Sequence, residues 1–461
     1  MLLNDLQSRL NETNVLQISA PGDIDEVALT ITDASKTNTP ISVAGALHSM
    51  GGQQFADGSI SLSSRNINKI ESLDQERSLV SLQSGVTWPD LVRWLKENQR
   101  DSEQDLGIIQ KQTGADDLTI GGALSSNIHG RVLTRKPIVD DVEGFHITTA
   151  DGRRSYCSRS ENADLFSAVI GGYGLFGFID SVDLKLTERV KLKRTVSENS
   201  LDEVMPALED RIANGATFGD FQYMTDEKAD GFLTKGVLST YSPTDPNVMI
   251  PETQLGLTMD DWKKLFVLAH TDKKQAYELY LGHYIQTNAQ IYWSDEHQFS
   301  TYLPEAGDML NQQLKWDPYA SLMISELYVP RDNFVDFMRD AREGLLKTSA
   351  NVIYGTVRLI KSEKETFLNW AKDDFACIIF NLLVEHSPNG IENAKGQFRM
   401  LIDCALNYGG SYYLTYHKWA RKDQVEAAYP QFSNFLEKKN YYDPSSVFTS
   451  NWHRHYVDMF S

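Results

Sequence analysis

The chain has few cysteines and few basic residues for its length, and it contains no long hydrophobic run. Three cysteines among 461 residues lie far apart and form no CxxC pair, which indicates buried thiols in a reducing compartment and no zinc site. The formal net charge of −19 argues against nucleic acid or an anionic membrane as a partner. The longest apolar run, Phe375–Val384, is shorter than the roughly 20 residues that a membrane span requires. We therefore expect no nucleic-acid partner, no metal site and no transmembrane segment.

The N-terminal residues show no basic stretch followed by an apolar run, so we expect no signal peptide and a cytoplasmic location. Leucines at positions 2, 3, 6 and 10 predict a short helix over residues 1–14 instead. A second helix, Ile24–Ser35, is predicted after Asp23, a residue type that favours the N-cap. Alternating runs on both sides of Asp151-Gly152 predict a β-hairpin.

Length and composition indicate an ordinary soluble globular protein of two or three domains, with 41% hydrophobic residues. Glycine becomes less frequent after about residue 195, where amphipathic helices and long apolar strands dominate, so the second half reads as a separate α+β domain. Near the C-terminus we predict a helix over Asp423–Lys438 and then a turn-rich tail.

Three glycine-rich segments precede residue 180: GALHSMGG (45–52), TIGGALSSNIHG (119–130) and IGGYGLFG (170–177). None is a GxGxxG that begins a long helix, and none is GxxxxGK[ST], so neither a Rossmann dinucleotide site nor a P-loop is expected. Each segment alone is equally a set of tight turns. Together they favour a long groove lined by backbone amides, which suits an extended diphosphate ligand.

In this order, the three segments resemble the FAD-binding domain of the vanillyl-alcohol oxidase/p-cresol methylhydroxylase (PCMH-type) superfamily. GALHSMGGQ and ADLFSAVIGGYGLFGFI are most similar to cytokinin dehydrogenases, whereas IGGALSSNIHG is similar to decaprenylphosphoryl-ribose and aldonolactone oxidases. The resemblance implies FAD as cofactor and an α+β fold. It implies an FAD-binding domain of two α/β subdomains over 1–195 (about 1–105 and 106–195), an α+β cap over 196–410, and a strip at 411–461 that returns to the FAD domain.

The resemblance also implies which residues contact FAD. In the first loop these are Ala44, Gly45, Ala46, Leu47, His48, Ser49, Met50, Gly51 and Gln53. In the second loop they are Thr113, Gly114, Ile120, Gly121, Gly122, Ser125, Ser126, Asn127, His129 and Gly130, with His129 either at the flavin or purely structural. In the third they are Gly171, Gly172, Gly174, Gly177 and Ile179, and Asn451 is added from the C-terminal strip.

His48 occupies the position of a family histidine that is often bonded to the flavin 8α-methyl carbon. This loop departs from the family pattern R-G-x-G-H-S at Ala44, where arginine is usual, and at Leu47, where glycine is usual. The resemblance implies covalent FAD through His48, the alternative being a non-covalent flavin packed beside it. Residues 1–156 contain no cysteine, so a second covalent tether is excluded.

Three segments of the C-terminal half resemble the substrate segments of alditol and aldonolactone oxidases. They contain Glu326, Arg358 and the run Tyr416, His417, Lys418. In that family a Glu, an Arg and a Lys bind and polarise the substrate over the flavin. An ungapped count places Tyr416 at the lysine position and a two-residue shift restores Lys418, so the base can be any residue of that run. All of these are also compatible with surface charge and ordinary packing.

The implied activity is FAD-dependent removal of hydride from a CH–OH group of a polyol, sugar or aldonolactone-like small molecule, with reoxidation by O2 or another electron acceptor. The first alternative is an amine dehydrogenase like the cytokinin dehydrogenases, whose cap supplies an Asp base that the sequence does not locate. The second is a flavin-binding protein without turnover. The HxH pair His453 and His455 lacks a third ligand, so a structural role is expected there rather than a metal.

Overall fold

The computed structural model describes residues 1–99, 104–300 and 306–461. The described strands, in chain order, are β1 (Leu2–Leu3), β2 (Thr13–Asn14), β3 (Gln17–Ser19), β4 (Ile41–Ala44), β5 (Ile60–Ser63), β6 (Ile70–Asp74), β7 (Leu79–Gln83), β8 (Leu106–Ile108), β9 (Val142–Thr148), β10 (Arg154–Ser158), β11 (Phe178–Glu188), β12 (Lys191–Ser200), β13 (Phe218–Tyr223), β14 (Lys235–Pro243), β15 (Ile291–Trp293), β16 (Ala320–Pro330), β17 (Val352–Ile360), β18 (Phe375–Glu385) and β19 (Ser411–Tyr412). The described α-helices are α1 (Ile24–Thr37), α2 (Trp88–Asn98), α3 (Ile120–Ser125), α4 (Ala163–Val169), α5 (Leu201–Ala213), α6 (Met259–Thr271), α7 (Lys273–Gln286), α8 (Ala306–Leu314), α9 (Phe334–Lys347), α10 (Pro388–Asn407), α11 (Lys422–Ala428), α12 (Phe432–Tyr442) and α13 (Asn451–Phe460). The α+β class predicted from the sequence is confirmed.

The helix predicted over residues 1–14 is wrong. The short strands β1 and β2 pair with each other in antiparallel register. Between them, the Asp5 carboxylate accepts hydrogen bonds from the backbone N–H groups of Gln7 and Ser8. This local side-chain capping competes with helical hydrogen bonding, and it turns the chain back on itself.

The first sheet is small and parallel, with strand order β3-β5-β4, and α1 packs its apolar face against it. The predicted N-cap of α1 is confirmed, since the Asp23 carboxylate accepts from the backbone N–H of Glu26 at 2.9 Å. Residues of the C-terminal strip complete this layer. The backbone N–H of Ile41 donates to the Val447 carbonyl, and that of Thr449 donates back to the Ile41 carbonyl.

The second sheet has strand order β10-β9-β11-β7-β6, with β8 pairing with the far end of β11. The predicted hairpin is confirmed, because β9 and β10 pair across Asp151-Gly152 with Thr148 opposite Arg154. Since β6 and β7 belong to this sheet, the boundary between the first two sheets lies between residues 63 and 70. The first glycine-rich loop follows β4, the second contains α3, and the third connects α4 to β11.

The third sheet has eight strands, in the order β15-β12-β14-β13-β17-β18-β16-β19. Helices α9 and α10 cover one face and bury alternate residues of the central strands, among them Leu327, Val357 and Phe380. The opposite face, under α6 and α7, lines a cavity. Because side chains alternate along a strand, this sheet separates a packed core from a potential binding surface.

The C-terminal strip differs from the predicted secondary structure in two places. The single helix predicted over Asp423–Lys438 is two helices, α11 and α12, because Pro430 lies between them and cannot continue a helix. The tail predicted as turns contains α13, which is capped where the Ser450 hydroxyl accepts from the backbone N–H of His453. Within the described ranges, no helix combines the length and the apolar character needed to cross a membrane.

Candidate functional site

A cavity of about 1080 Å³ lies between the glycine-rich loops and the third sheet. The loops form one end, α6 and α7 roof the other end, and the central strands of the third sheet form the floor. This volume slightly exceeds the roughly 300–1,000 Å³ that is typical of ligand sites. The cavity therefore has room for an extended ligand, and residues from both halves of the chain line it.

The first loop follows β4 and lies directly against the second. An ideal Cβ built on Gly45 would lie only 2.4 Å from Thr119 Oγ1, so the two loops approach as closely as a glycine permits. Leu47 adopts a left-handed backbone with φ of 64° at the position where the family pattern has glycine. The side-chain amide of Gln53 donates to the carbonyls of Leu414 and Thr415, which joins this loop to the C-terminal strip.

His48 lines the cavity and is held by a carboxylate of the second loop. Its Nε2 lies 3.0 Å from Asp117 Oδ1. Burial lowers the pKa of His48, and the nearby Asp117 offsets part of this effect. A neutral imidazole is the form that can act as a nucleophile toward an electrophilic carbon.

The second loop continues into α3 and is packed without spare space. A Cβ on Gly121 would lie 2.6 Å from the Ser84 Cβ, and the Gly121 N–H donates to the Ser84 carbonyl at 2.8 Å. The third loop is bonded to the second, since the N–H of Tyr173 donates to the Ser125 carbonyl. The three loops thus form one continuous wall with mainly small side chains.

Glu326 is the centre of a buried polar cluster on the cavity floor. Its Oε1 lies 2.8 Å from His129 Nε2 and also accepts a hydrogen bond from the Tyr328 hydroxyl. Burial by itself would raise the pKa of Glu326, but His129, Tyr328 and Arg358 together hold it below its usual value. Glu326 is therefore an ionised carboxylate in the interior of the protein.

Arg358 and Tyr416 complete this cluster. Arg358 is buried and donates from its terminal nitrogen to Thr113 Oγ1 on the second loop, while its Nε has no partner among the described atoms. Burial and the neighbouring Glu326 carboxylate raise the pKa of Tyr416 well above its usual value, so its phenol stays protonated at neutral pH. The cluster thus holds a carboxylate, a phenol and a guanidinium at one place in the cavity.

The three candidates for the base lie in different environments. Of the run Tyr416, His417 and Lys418, only Tyr416 lines the cavity. His417 is packed among Phe398 and Tyr412, and burial lowers its pKa to about 3. Lys418 lies behind the first loop, where its Nζ would be 3.7 Å from a Cβ built on Gly52.

The ligand atoms of His129, Glu326 and Cys377 all lie within 4.8 Å of one another, a grouping that can hold a metal ion. However, His129 and Glu326 already bond to each other, and burial raises the pKa of the Cys377 thiol well above its usual value. A thiol must lose its proton to bind a metal. The absence of a metal site stays a prediction.

Twenty of the predicted site residues line the cavity: Gly45, Ala46, Leu47, His48, Ser49, Met50, Gln53, Thr113, Gly114, Gly121, Gly122, Ser125, Ser126, His129, Gly174, Gly177, Ile179, Glu326, Arg358 and Tyr416. The others lie behind this surface: Ala44, Gly51, Ile120, Asn127, Gly130, Gly171, Gly172, His417, Lys418 and Asn451. Several of these have supporting contacts. Asn127, for example, accepts from the Val139 N–H, and the Asn451 N–H donates to the Phe55 carbonyl.

Sequence reasoning missed the polar residues at the far end of the floor. Asp220 and Gln222 lie on β13 and face the cavity, and the antiparallel register places Asp220 opposite Arg358 on β17. Arg131, just after the second loop, lies 4.0 Å from Asp220. A signal was present in FGDFQYM, because two polar residues alternate with buried aromatic ones.

The donors and shape of the loop end fit FAD. Glycines and small side chains such as Gly45, Ala46 and Ser49 line the wall, so a pyrophosphate could approach the backbone of the first loop closely. The floor adds the Arg358 guanidinium with an unpartnered Nε, which suits an electron-rich group of a ligand in the cavity.

Comparison with known proteins agrees with this fit. Residues 15–158 match a family described as an FAD binding domain. The chain is 26% identical to L-gulonolactone oxidase of Mus musculus over 199 residues, which is 43% of each protein. It is 25% identical to cytokinin dehydrogenase 4 of Oryza sativa subsp. japonica, over 93% of this chain and 83% of that one. With cytokinin dehydrogenase 2 of Arabidopsis thaliana the identity is 22%, over 89% and 83%. The chain thus spans less than half the length of the L-gulonolactone oxidases that it matches.

Proposed function

Because the chain belongs to the PCMH-type superfamily of FAD-linked oxidases, we propose that it oxidises a CH–OH group of a small molecule in the cavity. The observation that carries this proposal is the buried cluster of Glu326, Tyr416 and Arg358 at the point where the loop wall meets the sheet floor. Oxidising an alcohol requires a base for its O–H proton and a cation near the developing negative charge. This cluster supplies both.

Glu326 is the proton acceptor and Tyr416 is the group through which it acts. Glu326 is ionised, and the Tyr416 phenol is close enough for the carboxylate to raise its pKa. The substrate hydroxyl gives its proton to the Tyr416 oxygen as the phenol gives its own to Glu326. This assignment uses the tyrosine in its protonated form, which burial favours.

His129 and Arg358 position and polarise this system. His129 fixes one carboxylate oxygen of Glu326 through the 2.8 Å contact, so the other can face Tyr416. Arg358 is anchored by Thr113 and keeps an unpartnered Nε in the cavity lining, where it stabilises negative charge on the substrate oxygen. Both groups are fixed before the substrate arrives, which lowers the reorganisation that the reaction requires.

FAD, when bound, would supply the hydride acceptor and the route for electrons to O2 or another acceptor. The residues that would hold it are the lining positions of the three loops and the cluster named above. His48 is the proposed covalent anchor, because Asp117 fixes its ring in the cavity lining and burial favours its neutral form. Acid precipitation tests this anchor: the yellow colour stays with the protein pellet, and His48→Ala releases it into the supernatant.

Anaerobic reduction of the purified flavoprotein tests the activity. Polyols, sugars, aldonolactones and amines are mixed separately with the protein, and bleaching of the flavin absorbance is followed. We expect bleaching by a CH–OH compound and a much slower rate in Glu326→Gln. Bleaching by amines alone would instead favour a reaction like that of the cytokinin dehydrogenases, with Asp220 as the candidate base. No bleaching by any compound would contradict the proposed activity.

A further inference from the structure

We propose that the far end of the cavity is an anion subsite in which Arg194 binds a carboxylate of the substrate. This inference rests on the proposed function only in calling the ligand a substrate. Binding of the carboxylate itself requires no turnover. Arg194 lies on β12, faces the cavity and is only 7% exposed. It lies on the opposite side of the floor from Glu326, which is on β16.

The Arg194 guanidinium is held in place but is not neutralised. Its terminal nitrogen donates to Ser239 Oγ at 3.1 Å, and its Nε has no partner among the described atoms. The ring centroids of Tyr284 and Tyr241 lie 4.4 Å and 5.4 Å from its central carbon. Aromatic faces orient a guanidinium and attract it, yet they contribute no negative charge. No carboxylate of the described residues lies within ion-pair distance of Arg194.

Arg131 adds a second guanidinium to the same region. Its central carbon lies 6.0 Å from the Tyr241 ring, so this tyrosine is shared by the two arginines. Its Nε also lacks a partner among the described atoms, and Asp220 lies 4.0 Å from one terminal nitrogen. The side chain of Tyr280 also lines this end of the cavity. The Nε groups of Arg194 and Arg131 are thus two buried donors without a partner among the described atoms.

The charges of the described interior residues do not balance. At the far end of the cavity two guanidiniums, Arg194, which is buried, and Arg131, whose side chain is 14% exposed, face one buried carboxylate, Asp220. At the other end Arg358 and Glu326 balance each other. The remaining charged lining groups are paired nearer the surface, through the ion pairs Lys273–Glu227, Glu296–Arg189 and Arg9–Asp308. One positive charge is left over, and burying it without a counterion is costly. A single carboxylate would neutralise it, whereas a phosphate dianion would exceed it.

The position of Arg194 also limits the shape of the ligand. Its strand, β12, is separated from Arg358 on β17 by β14 and β13, so the two strands lie about 14 Å apart at the usual spacing. A molecule that reaches from the Glu326 cluster to Arg194 is therefore extended. The aromatic residues of α6 and α7, among them Trp262, Phe266 and Tyr280, cover the space between. The substrate class that fits is an elongated hydroxy acid with an apolar or aromatic middle.

The test measures binding of a non-oxidisable probe to the FAD-loaded protein by calorimetry. The probe is 4-phenylbutyrate, compared with its neutral analogue 4-phenyl-1-butanol, and acids from benzoate to 6-phenylhexanoate vary the length. We expect the acid to bind at least ten times more tightly than the alcohol. Arg194→Gln should weaken acid binding about 10- to 100-fold, since a charged hydrogen bond in a dry site is lost, and leave alcohol binding unchanged. Arg194→Lys should lie between the two.

Arg211→Gln is the matched control, because Arg211 is a half-buried arginine that bonds to the same strand at Ser197 but does not line the cavity. Equal binding of acid and alcohol by the wild-type protein, or no binding of any acid in the series, would overturn the proposal even if Arg194→Gln failed to fold. Tight acid binding with no flavin reduction by any alcohol would keep the subsite and contradict only the proposed activity.

Discussion

Asp141 is buried at 2% exposure beside the second loop, and replacing it by asparagine should stabilise the protein at alkaline pH. Its Oδ2 accepts from the side-chain amide of Gln110 at 2.8 Å, and Gln110 in turn accepts from the backbone N–H of Gly130, next to His129. Its Oδ1 has no hydrogen-bond partner among the described atoms. Burial raises the pKa of Asp141 from 3.8 to about 7, with Gln110 and Arg135 offsetting part of this effect.

The sign of the pH dependence follows from these two pKa values. Between pH 4 and pH 7 the unfolded chain loses the Asp141 proton while the folded chain keeps it, so stability falls as the pH rises. From pH 5 to pH 8 this one group lowers the free energy of unfolding by about 2.5 kcal/mol. In the variant Asp141→Asn, the side-chain carbonyl oxygen at position 141 would still accept a hydrogen bond from Gln110. The loss of stability between pH 5 and pH 8 that is due to this group would disappear.

Urea unfolding of wild type and Asp141→Asn at pH 5 and pH 8, followed by tryptophan fluorescence, measures the effect. The stability of the variant relative to wild type should increase by about 2.5 kcal/mol between the two pH values. Asp332→Asn is the control, because the Asp332 carboxylate is exposed at the surface. A relative stability that is the same at both pH values would refute the reasoning.

Three further predictions concern the site. Glu326→Gln should slow anaerobic flavin reduction by about 10²- to 10⁴-fold while keeping FAD, because it removes the proton acceptor; stopped-flow absorbance measures this, and an unchanged rate would exclude Glu326 as the base. Tyr416→Phe should slow the same step, whereas His417→Phe should not, because of these two residues only Tyr416 lines the cavity; the opposite ranking would contradict proton transfer through Tyr416. Gly45→Ala should reduce the FAD content of purified protein, because its Cβ would lie 2.4 Å from Thr119 Oγ1. Gly396→Ala, with nothing within 4 Å, is the control, and equal FAD content in both variants would contradict the close loop contact.

Elements with a local chemical signature could be predicted from the sequence. The cap at Asp23 and the Asp151-Gly152 turn each fix structure through neighbouring residues, and both predictions are confirmed. The N-terminal segment was predicted wrongly because its leucine spacing suits a helix, yet the Asp5 carboxylate captures the next backbone N–H groups. The long C-terminal helix was wrong because the periodicity continued past Pro430, a residue that a helix interior excludes.

The candidate site likewise has one part that could be predicted from the sequence and one part that could not. The glycine-rich loops are contiguous in sequence, so their resemblance to FAD-binding loops was visible directly, and FAD binding is supported by the family match. Asp220, Arg131 and Arg194 lie far apart along the chain and meet only through strand order and the return of the second loop. No spacing rule connects such residues. The register of the third sheet is what brings their charges into one cavity.

The contacts of the first loop with the end of the chain have a consequence for biosynthesis. Gln53 reaches the carbonyls of Leu414 and Thr415, Ile41 pairs with Val447, and the Asn451 N–H donates to the Phe55 carbonyl. These partners lie at residues 414–451, so more than 350 residues must be translated after the first loop before all of its contacts can form. These contacts cannot form while residues 411–461 are still inside the ribosome. Cofactor capture at this loop accordingly follows the emergence of that strip, and a chain that ends before residue 411 would lack the contacts.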